Sequence, residues 1–172
     1  MRNKNVTMIT QAAIIAALYV VLTLIANALG LAKFAVQIRF SESLCILPFF
    51  TPAAVPGLYV GCLIANIITG AGIWDIIFGS FATLIGAFGT YLLRKRRFLM
   101  TLPPVVANML IIPFVLRYGY GIIWMYDGVD LALPFYACTV GLGEIISICV
   151  LGTILLKLLL PYRYVIFKNT MR

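Results

Sequence analysis

The chain has 172 residues, 63% of them hydrophobic and 10% charged, with a formal net charge of +8 and no histidine. Soluble domains carry about 25% charged residues, so the composition excludes a soluble domain and indicates one polytopic membrane domain over residues 1–172. The four cysteines lie in apolar runs without CxxC spacing, so we expect no metal site, no disulfide framework and no cofactor.

The apolar segments fall into four plain membrane spans and one ambiguous segment. A spanning helix needs about 20 apolar residues. Four segments satisfy this requirement: residues 8–29, 73–93, 98–117 and 133–160. The first is longer than the apolar core of a signal peptide, so it predicts a retained helix. Residues 44–69 are long for one span and short for two, and they contain Pro48, Pro52 and Pro56.

The basic residues decide how often the ambiguous segment crosses, because cytoplasmic loops collect Lys and Arg. A single crossing separates the N-terminus, with Arg2 and Lys4, from the RKRR cluster at residues 94–97. Two short crossings bring both, and the tail with Lys168 and Arg172, to the cytoplasmic side. We therefore predict an all-α protein with six transmembrane helices, cytoplasmic termini, and short second and third helices linked at the prolines. The net charge then reflects topology, and no nucleic-acid partner is expected.

This topology gathers the acidic residues on one side of the membrane. All five fall on the outer side or in the outer half of the bilayer: Glu42, Asp75, Asp127, Asp130 and Glu144. Trp74 and Trp124 fall at the same boundary. We therefore expect functional chemistry on the extracellular half of the protein.

Several of these residues have a purely structural interpretation. Asp127 and Asp130 are typical of a turn and a helix start, and Asp75 suits the first turn of a helix because the helix dipole favours an acid there. Trp74 and Trp124 are typical interface anchors.

Glu144 is harder to assign to structure alone. It lies about 16 Å into the last apolar segment, and an ionisable residue at such depth suggests function unless a buried pair with Arg39 or Arg117 satisfies it. Arg39 and Glu42 can also pair with each other across three residues. Asn66 suits either a ligand contact or a hydrogen bond between helices.

Small residues form strips on two predicted helices. The first helix carries Ala12, Ala13, Ala16 and Ala17, whose spacing of four creates a smooth face. A similar strip lies on the third helix: Gly57, Gly61 and Ala65. Such strips serve either internal packing or contact with a partner protein.

The sequence lacks the common motifs of an enzyme or an ATPase. It contains no G-x-x-x-x-G-K-[ST], no H-E-x-x-H and no G-x-S-x-G motif, and nothing positions a nucleophile beside a base. We therefore expect a non-enzymatic membrane protein without an energy source of its own.

Three segments resemble the QueT family of S components of energy-coupling factor (ECF) transporters, which are proposed to take up queuosine precursors. They are QIRFSESLCILPFFTPAAVPGLYVGCLIAN, GIWDIIFGSFATLIGA and GLGEIISICVLG. The resemblance implies a six-helix S-component bundle in the bacterial plasma membrane, with an outward substrate site closed by the loops after the first, third and fifth helices. It also implies a transmembrane coupling subunit, which contacts the alanine strip, and two ATPase subunits.

The implied ligand, a 7-deazaguanine base, suits the residue types on the outer half. One carboxylate can accept two adjacent N–H groups, an amide or guanidinium can donate to the ring carbonyl, and an indole can stack on the ring. The candidates are the carboxylates Glu42, Asp75 and Glu144, the donors Arg39 and Asn66, and the indoles Trp74 and Trp124. Two alternatives are an S component for another small molecule such as a vitamin, and a membrane structural or assembly protein without transport activity.

Overall fold

The computed structural model describes residues 4–30 and 38–167, which form six helices and one short hairpin. The helices are α1 (Lys4–Ala28), α2 (Phe40–Phe49), α3 (Ala54–Ile68), α4 (Asp75–Leu93), α5 (Leu102–Gly119) and α6 (Ala132–Ile166). Strands β1 (Met125–Tyr126) and β2 (Val129–Asp130) pair antiparallel between α5 and α6. Three basic residues used in the topology prediction, Arg2, Lys168 and Arg172, lie outside the described residues.

Four helices, α1, α4, α5 and α6, are long and apolar enough to cross a membrane. Large apolar side chains such as Ile14, Ile85 and Leu110 are more than half exposed, as expected for surfaces that contact lipid. The protein is therefore a multi-pass membrane protein, and its all-helical character is as predicted apart from the two-residue strands.

The ambiguous segment is broken into two short helices at Pro52, as predicted. Helix α2 has 10 residues wound as a 3₁₀ helix, and α3 has 15 residues. Pro56 lies in the first turn of α3, where the missing N–H breaks no helical hydrogen bond. Residues at the start of α2 and the end of α3 line the same cavity, so the two helices run antiparallel. That both cross the bilayer stays a prediction.

Helix α2 forms the centre of the bundle. All residues from Ser41 to Pro48 are buried, and Leu44, Ile46 and Leu47 belong to a cluster of buried apolar side chains. A helix buried on all sides can present polar groups to a site only through its ends or through buried hydrogen bonds. Its N-terminal end leads into the candidate site.

The two small-residue strips pack on each other. A Cβ atom at Gly57 would lie 2.7 Å from the carbonyl oxygen of Ala12, and one at Gly61 would lie 2.9 Å from the Cα of Ala16. Only glycine allows α1 and α3 to approach this closely. Internal packing therefore accounts for one half of the alanine strip, whereas Ala13 is exposed.

The acidic loops and the basic cluster at residues 94–97 lie at opposite ends of the bundle. Gln11 contacts both Thr51 and the backbone of Ile166, so the start of α1, the turn after α2 and the end of α6 meet at one end. We call this the basic end, because the cluster at residues 94–97 also lies there. The loops with Asp75, Asp127 and Asp130 form the opposite, acidic end. The assignment of these ends to the two sides of the membrane stays a prediction.

Candidate functional site

A cavity of about 200 Å³ lies at the acidic end, between α1, the start of α2, the end of α3 and the start of α4. Three predicted site residues line it: Arg39, Asn66 and Asp75. The tertiary fold thus joins residues from three separate segments of the chain. Their side chains offer a guanidinium, an amide and a carboxylate to one enclosed space.

Asp75 is held in the cavity wall but keeps one oxygen available. The amide of Asn66 donates to the backbone carbonyl of Asp75 at 3.1 Å, and the Tyr120 hydroxyl donates to Asp75 Oδ2 at 2.9 Å. Partial burial and then the hydrogen bond to Asp75 raise the pKa of Tyr120 above its ordinary value, so the hydroxyl stays a donor at neutral pH. Among the described residues, Asp75 Oδ1 has no hydrogen-bond partner.

Five further polar residues line the cavity, and the sequence analysis missed them. Tyr19, Thr23 and Asn27 follow one another at intervals of four along α1, so they share one face of the helix. Ser41 and Thr69 complete the set. The spacing on α1 was the available signal, because polar side chains with that period in an apolar helix indicate a polar neighbour.

Glu42 is fully buried and does not line the cavity. Its Oε1 accepts hydrogen bonds from the Tyr19 hydroxyl and from Thr83 Oγ1 at 3.4 Å, and its Oε2 accepts one from Cys45 Sγ at 3.1 Å. The predicted ion pair with Arg39 is absent from the described part of the chain. Glu42 therefore reaches the cavity only through Tyr19.

Glu144 is also buried, with 6% of its surface exposed. It lines a second cavity of about 10 Å³ together with Arg39 and Asn108, and within the described part of the chain its Oε2 has no hydrogen-bond partner. The predicted pair with Arg117 is wrong, because Arg117 forms its ion pair with Asp130. Arg39 lines both cavities and thus separates Glu144 from the larger one.

The two tryptophans do not reach the polar cavity. Trp74 is 44% exposed and stacks on Phe78 with 6.0 Å between ring centroids. Trp124 packs on Phe135 at 4.1 Å. Their positions fit interface anchors, and the aromatic side chain that lines the cavity among the described residues is Tyr19.

The predicted capping role of the hairpin aspartates is confirmed. Asp127 has a φ of 49° and forms a two-residue turn with Gly128, whose φ is 78°. Asp130 Oδ1 accepts the backbone N–H of Ala132 at 3.0 Å at the start of α6. This hydrogen bond, followed by the contact with Arg117, lowers the pKa of Asp130 below its ordinary value.

A second surface feature lies near the basic end between α1 and α3. It is an apolar groove of about 400 Å³, and we call it the α1–α3 groove. Ala12, Ala13 and Ala16 line it beside Pro56 and Val60 of α3. The groove thus contains three of the four predicted strip residues.

The fold and the site together define a class: a polytopic helical membrane protein with a polar cavity, sized for a small solute, at one end. The profile of the family described as "QueT transporter" matches residues 9–161. The chain therefore belongs to the QueT transporter family.

The chain is also similar to a curated relative, over a shorter stretch of residues. The Queuosine precursor transporter QueT of Lactococcus lactis subsp. cremoris (strain MG1363) is 32% identical over 85 residues, which cover 49% of this chain and 50% of that protein. The chain therefore matches about half the length of this relative. No solved structure matches the chain at a significant level.

Proposed function

We propose that the protein is the substrate-specificity subunit of an ECF-type, ATP-driven uptake transporter in the bacterial plasma membrane. Its cavity binds a queuosine precursor with a 7-deazaguanine base from the outer face. Membership of the QueT transporter family and the name of the Lactococcus relative support the substrate. The observation that carries the proposal is the convergence of Arg39, Asn66 and Asp75 on one cavity.

The free hydrogen-bonding groups of the cavity complement the edge of such a base. Asp75 Oδ1 accepts an N–H of the ring, and the Arg39 guanidinium donates to the ring carbonyl. The hydroxyl of Ser41 is buried and has no hydrogen-bond partner in residues 4–30 and 38–167, so it is available to a polar atom of the ligand. A buried polar atom without a partner costs free energy, and a bound ligand removes this cost.

The size of the cavity also supports a small ligand. Its volume of about 200 Å³ lies below the roughly 300–1,000 Å³ of sites for drug-sized ligands. A cavity of this volume suits one bicyclic base better than a nucleoside or a larger vitamin. Tyr19 supplies an aromatic side chain against which the base can pack.

Energy for uptake comes from partner proteins in this proposal. A transmembrane coupling subunit docks on the α1–α3 groove, where Ala13 is exposed beside Pro56 and Val60. Small side chains let a partner helix approach closely in lipid. Two ATPase subunits bound to the coupling subunit supply the nucleotide hydrolysis for which this chain has no motif.

The test is calorimetric titration of the purified protein with a 7-deazaguanine base carrying an aminomethyl group. We expect saturable binding, and Asp75→Asn should weaken it about 10- to 100-fold because a charge-assisted hydrogen bond is lost. Asp127→Asn, on the exposed hairpin turn, is the matched control and should bind like the wild type. Failure of the wild type to bind any deazapurine overturns the substrate, and unchanged affinity of Asp75→Asn overturns the recognition by this carboxylate.

A further inference from the structure

Arg39 has a fixed backbone but a side chain without an assigned partner. Its backbone N–H donates to Ser147 Oγ at 3.2 Å, and Ser147 donates in turn to the carbonyl of Gly143 at 2.8 Å. The start of α2 is thereby tied to α6. Among the described residues, the guanidinium itself makes no hydrogen bond and no ion pair, although it lines both cavities.

The buried carboxylate of Glu144 requires a partner of opposite charge. Its carboxylate is buried, with an Oε2 that no described residue satisfies, and a buried charge without a partner is strongly unfavourable. Arg117 is committed to Asp130, and Lys157 lies 13 residues further along α6, about 20 Å away. Arg39 is the described cation that shares a cavity with Glu144.

The dimensions of the small cavity argue against a direct ligand contact by Glu144. Its volume of about 10 Å³ corresponds to the space needed by about one water molecule. A heterocyclic base cannot enter it, and Glu144 does not line the larger cavity. The Arg39 guanidinium belongs to a residue that lines both cavities, so it can transmit the charge of Glu144 to a ligand.

We infer that Glu144 is a positioning residue whose carboxylate attracts the Arg39 guanidinium across the small cavity that both line and so keeps it at the inner wall of the larger cavity, where Arg39 meets the ligand. Two residues of α6 thus position Arg39. Ser147 binds its backbone, and Glu144, one helical turn earlier, orients its side chain. The ligand class rests on the proposed function, whereas the coupling between the two side chains does not. Asn108, whose amide donates to the carbonyl of Pro104 at 3.2 Å, forms the third wall of the small cavity.

A double-mutant cycle tests this role, with Arg39→Gln, Glu144→Gln and the double variant. We expect Glu144→Gln to weaken binding of the aminomethyl 7-deazaguanine base on the order of tenfold, and Arg39→Gln to weaken it at least as much. The double variant should bind no more weakly than Arg39→Gln alone, because Glu144 acts through Arg39. Multiplying effects would show a direct contact of Glu144 with the ligand, and unchanged affinity of Glu144→Gln would show no role; either result overturns the inference.

A second measurement needs no ligand and separates this inference from the proposed function. Each single variant should lower the unfolding temperature in detergent, because it leaves one buried charge unpaired, and the double variant should recover part of the loss. Additive losses overturn the pairing even when the wild type binds the base. Recovery supports the pairing even when the wild type binds no deazapurine.

A conservative variant covers the case in which the glutamine variants do not fold. Arg39→Lys keeps a counter-charge for Glu144 but loses the planar fork of the guanidinium. We expect an unfolding temperature close to that of the wild type together with weaker ligand binding. A large loss of stability in Arg39→Lys overturns the inference, because the charge pairing would then not be the relevant interaction.

Discussion

The cavity at the acidic end and the α1–α3 groove near the basic end are built on the same two helices, yet they differ in chemistry. Helix α1 gives Tyr19, Thr23 and Asn27 to the cavity, and it gives Ala12 and Ala13 to the groove. Polar side chains in an apolar environment require partners, so they are enclosed. Small apolar side chains leave a smooth surface that another helix can approach. One helix pair thus lines a polar cavity at one end and an apolar groove at the other.

The boundary between these regions is a single tight contact. A Cβ atom at Gly61 would lie 2.8 Å from the Cβ of Tyr19, which lines the cavity, and 2.9 Å from the Cα of Ala16, which lines the groove. The spacing of α1 and α3 at this glycine therefore sets the geometry of both regions.

The largest expected effect comes from breaking this shared contact. Gly61→Leu forces α1 and α3 apart, and overpacking of this kind costs about 1–3 kcal/mol or more. We expect a lower unfolding temperature and loss of both ligand binding and co-purification with the coupling subunit. Val21→Leu adds apolar volume to an exposed position of α1 that lines neither region and is the control. Loss of only one of the two activities in Gly61→Leu would show that the regions are set independently.

The next variant separates the regions by blocking the groove alone. Ala13→Trp fills an exposed position in the groove, so we expect loss of co-purification with the coupling subunit and unchanged ligand affinity. Leu18→Trp places the same indole at an exposed position of α1 that does not line the groove, and it should retain the partner. Equal retention by both variants would place the docking surface elsewhere.

A smaller effect is expected from loosening the cavity wall alone. Tyr19→Phe removes the hydroxyl that donates to the buried Glu42 carboxylate, and an unsatisfied buried acceptor costs about 1–3 kcal/mol. We expect roughly tenfold weaker ligand binding by titration, with co-purification preserved. Tyr126→Phe, at a hairpin side chain that is 68% exposed, should match the wild type. Loss of the partner in Tyr19→Phe would mean that the cavity wall also shapes the groove.

The smallest effect is expected at the hairpin, which belongs to neither region. The lowered pKa of Asp130 means that its ionised form stabilises the folded state. This contribution is complete above the ordinary aspartate range near pH 3.9 and is lost as the pH falls through the lower folded pKa. Asp130→Asn should lower the unfolding temperature slightly at neutral pH and remove that part of the acid sensitivity. If Asp130→Asn keeps the acid dependence of the wild type, that dependence belongs to another group.

Much of the fold followed from the sequence because hydrophobicity and charge act locally. The break at Pro52, the two short helices and the separation of acids from the RKRR cluster were all predicted from local signals. Apolar length decides which segments can cross a bilayer, and proline lacks the backbone N–H that a helix interior requires.

The candidate site was predicted less completely, because side-chain direction depends on neighbouring helices. Arg39, Asn66 and Asp75 line the cavity as expected, whereas Trp74 and Trp124 lie elsewhere. Residue type and the predicted side of the membrane identified all five residues as candidates. Neither property says which face of a helix or loop turns inward.

The sequence by itself determined the class of protein, the number of helices and the end of the bundle at which polar chemistry collects. Only the tertiary structure decided that Glu42 bonds to Tyr19 and Thr83, and that the glycines of α3 pack on α1. The physical reason is distance along the chain. Composition and periodicity report on residues within a few turns, whereas these contacts join residues 23 to 45 positions apart, such as Tyr19 with Glu42 and Ala12 with Gly57.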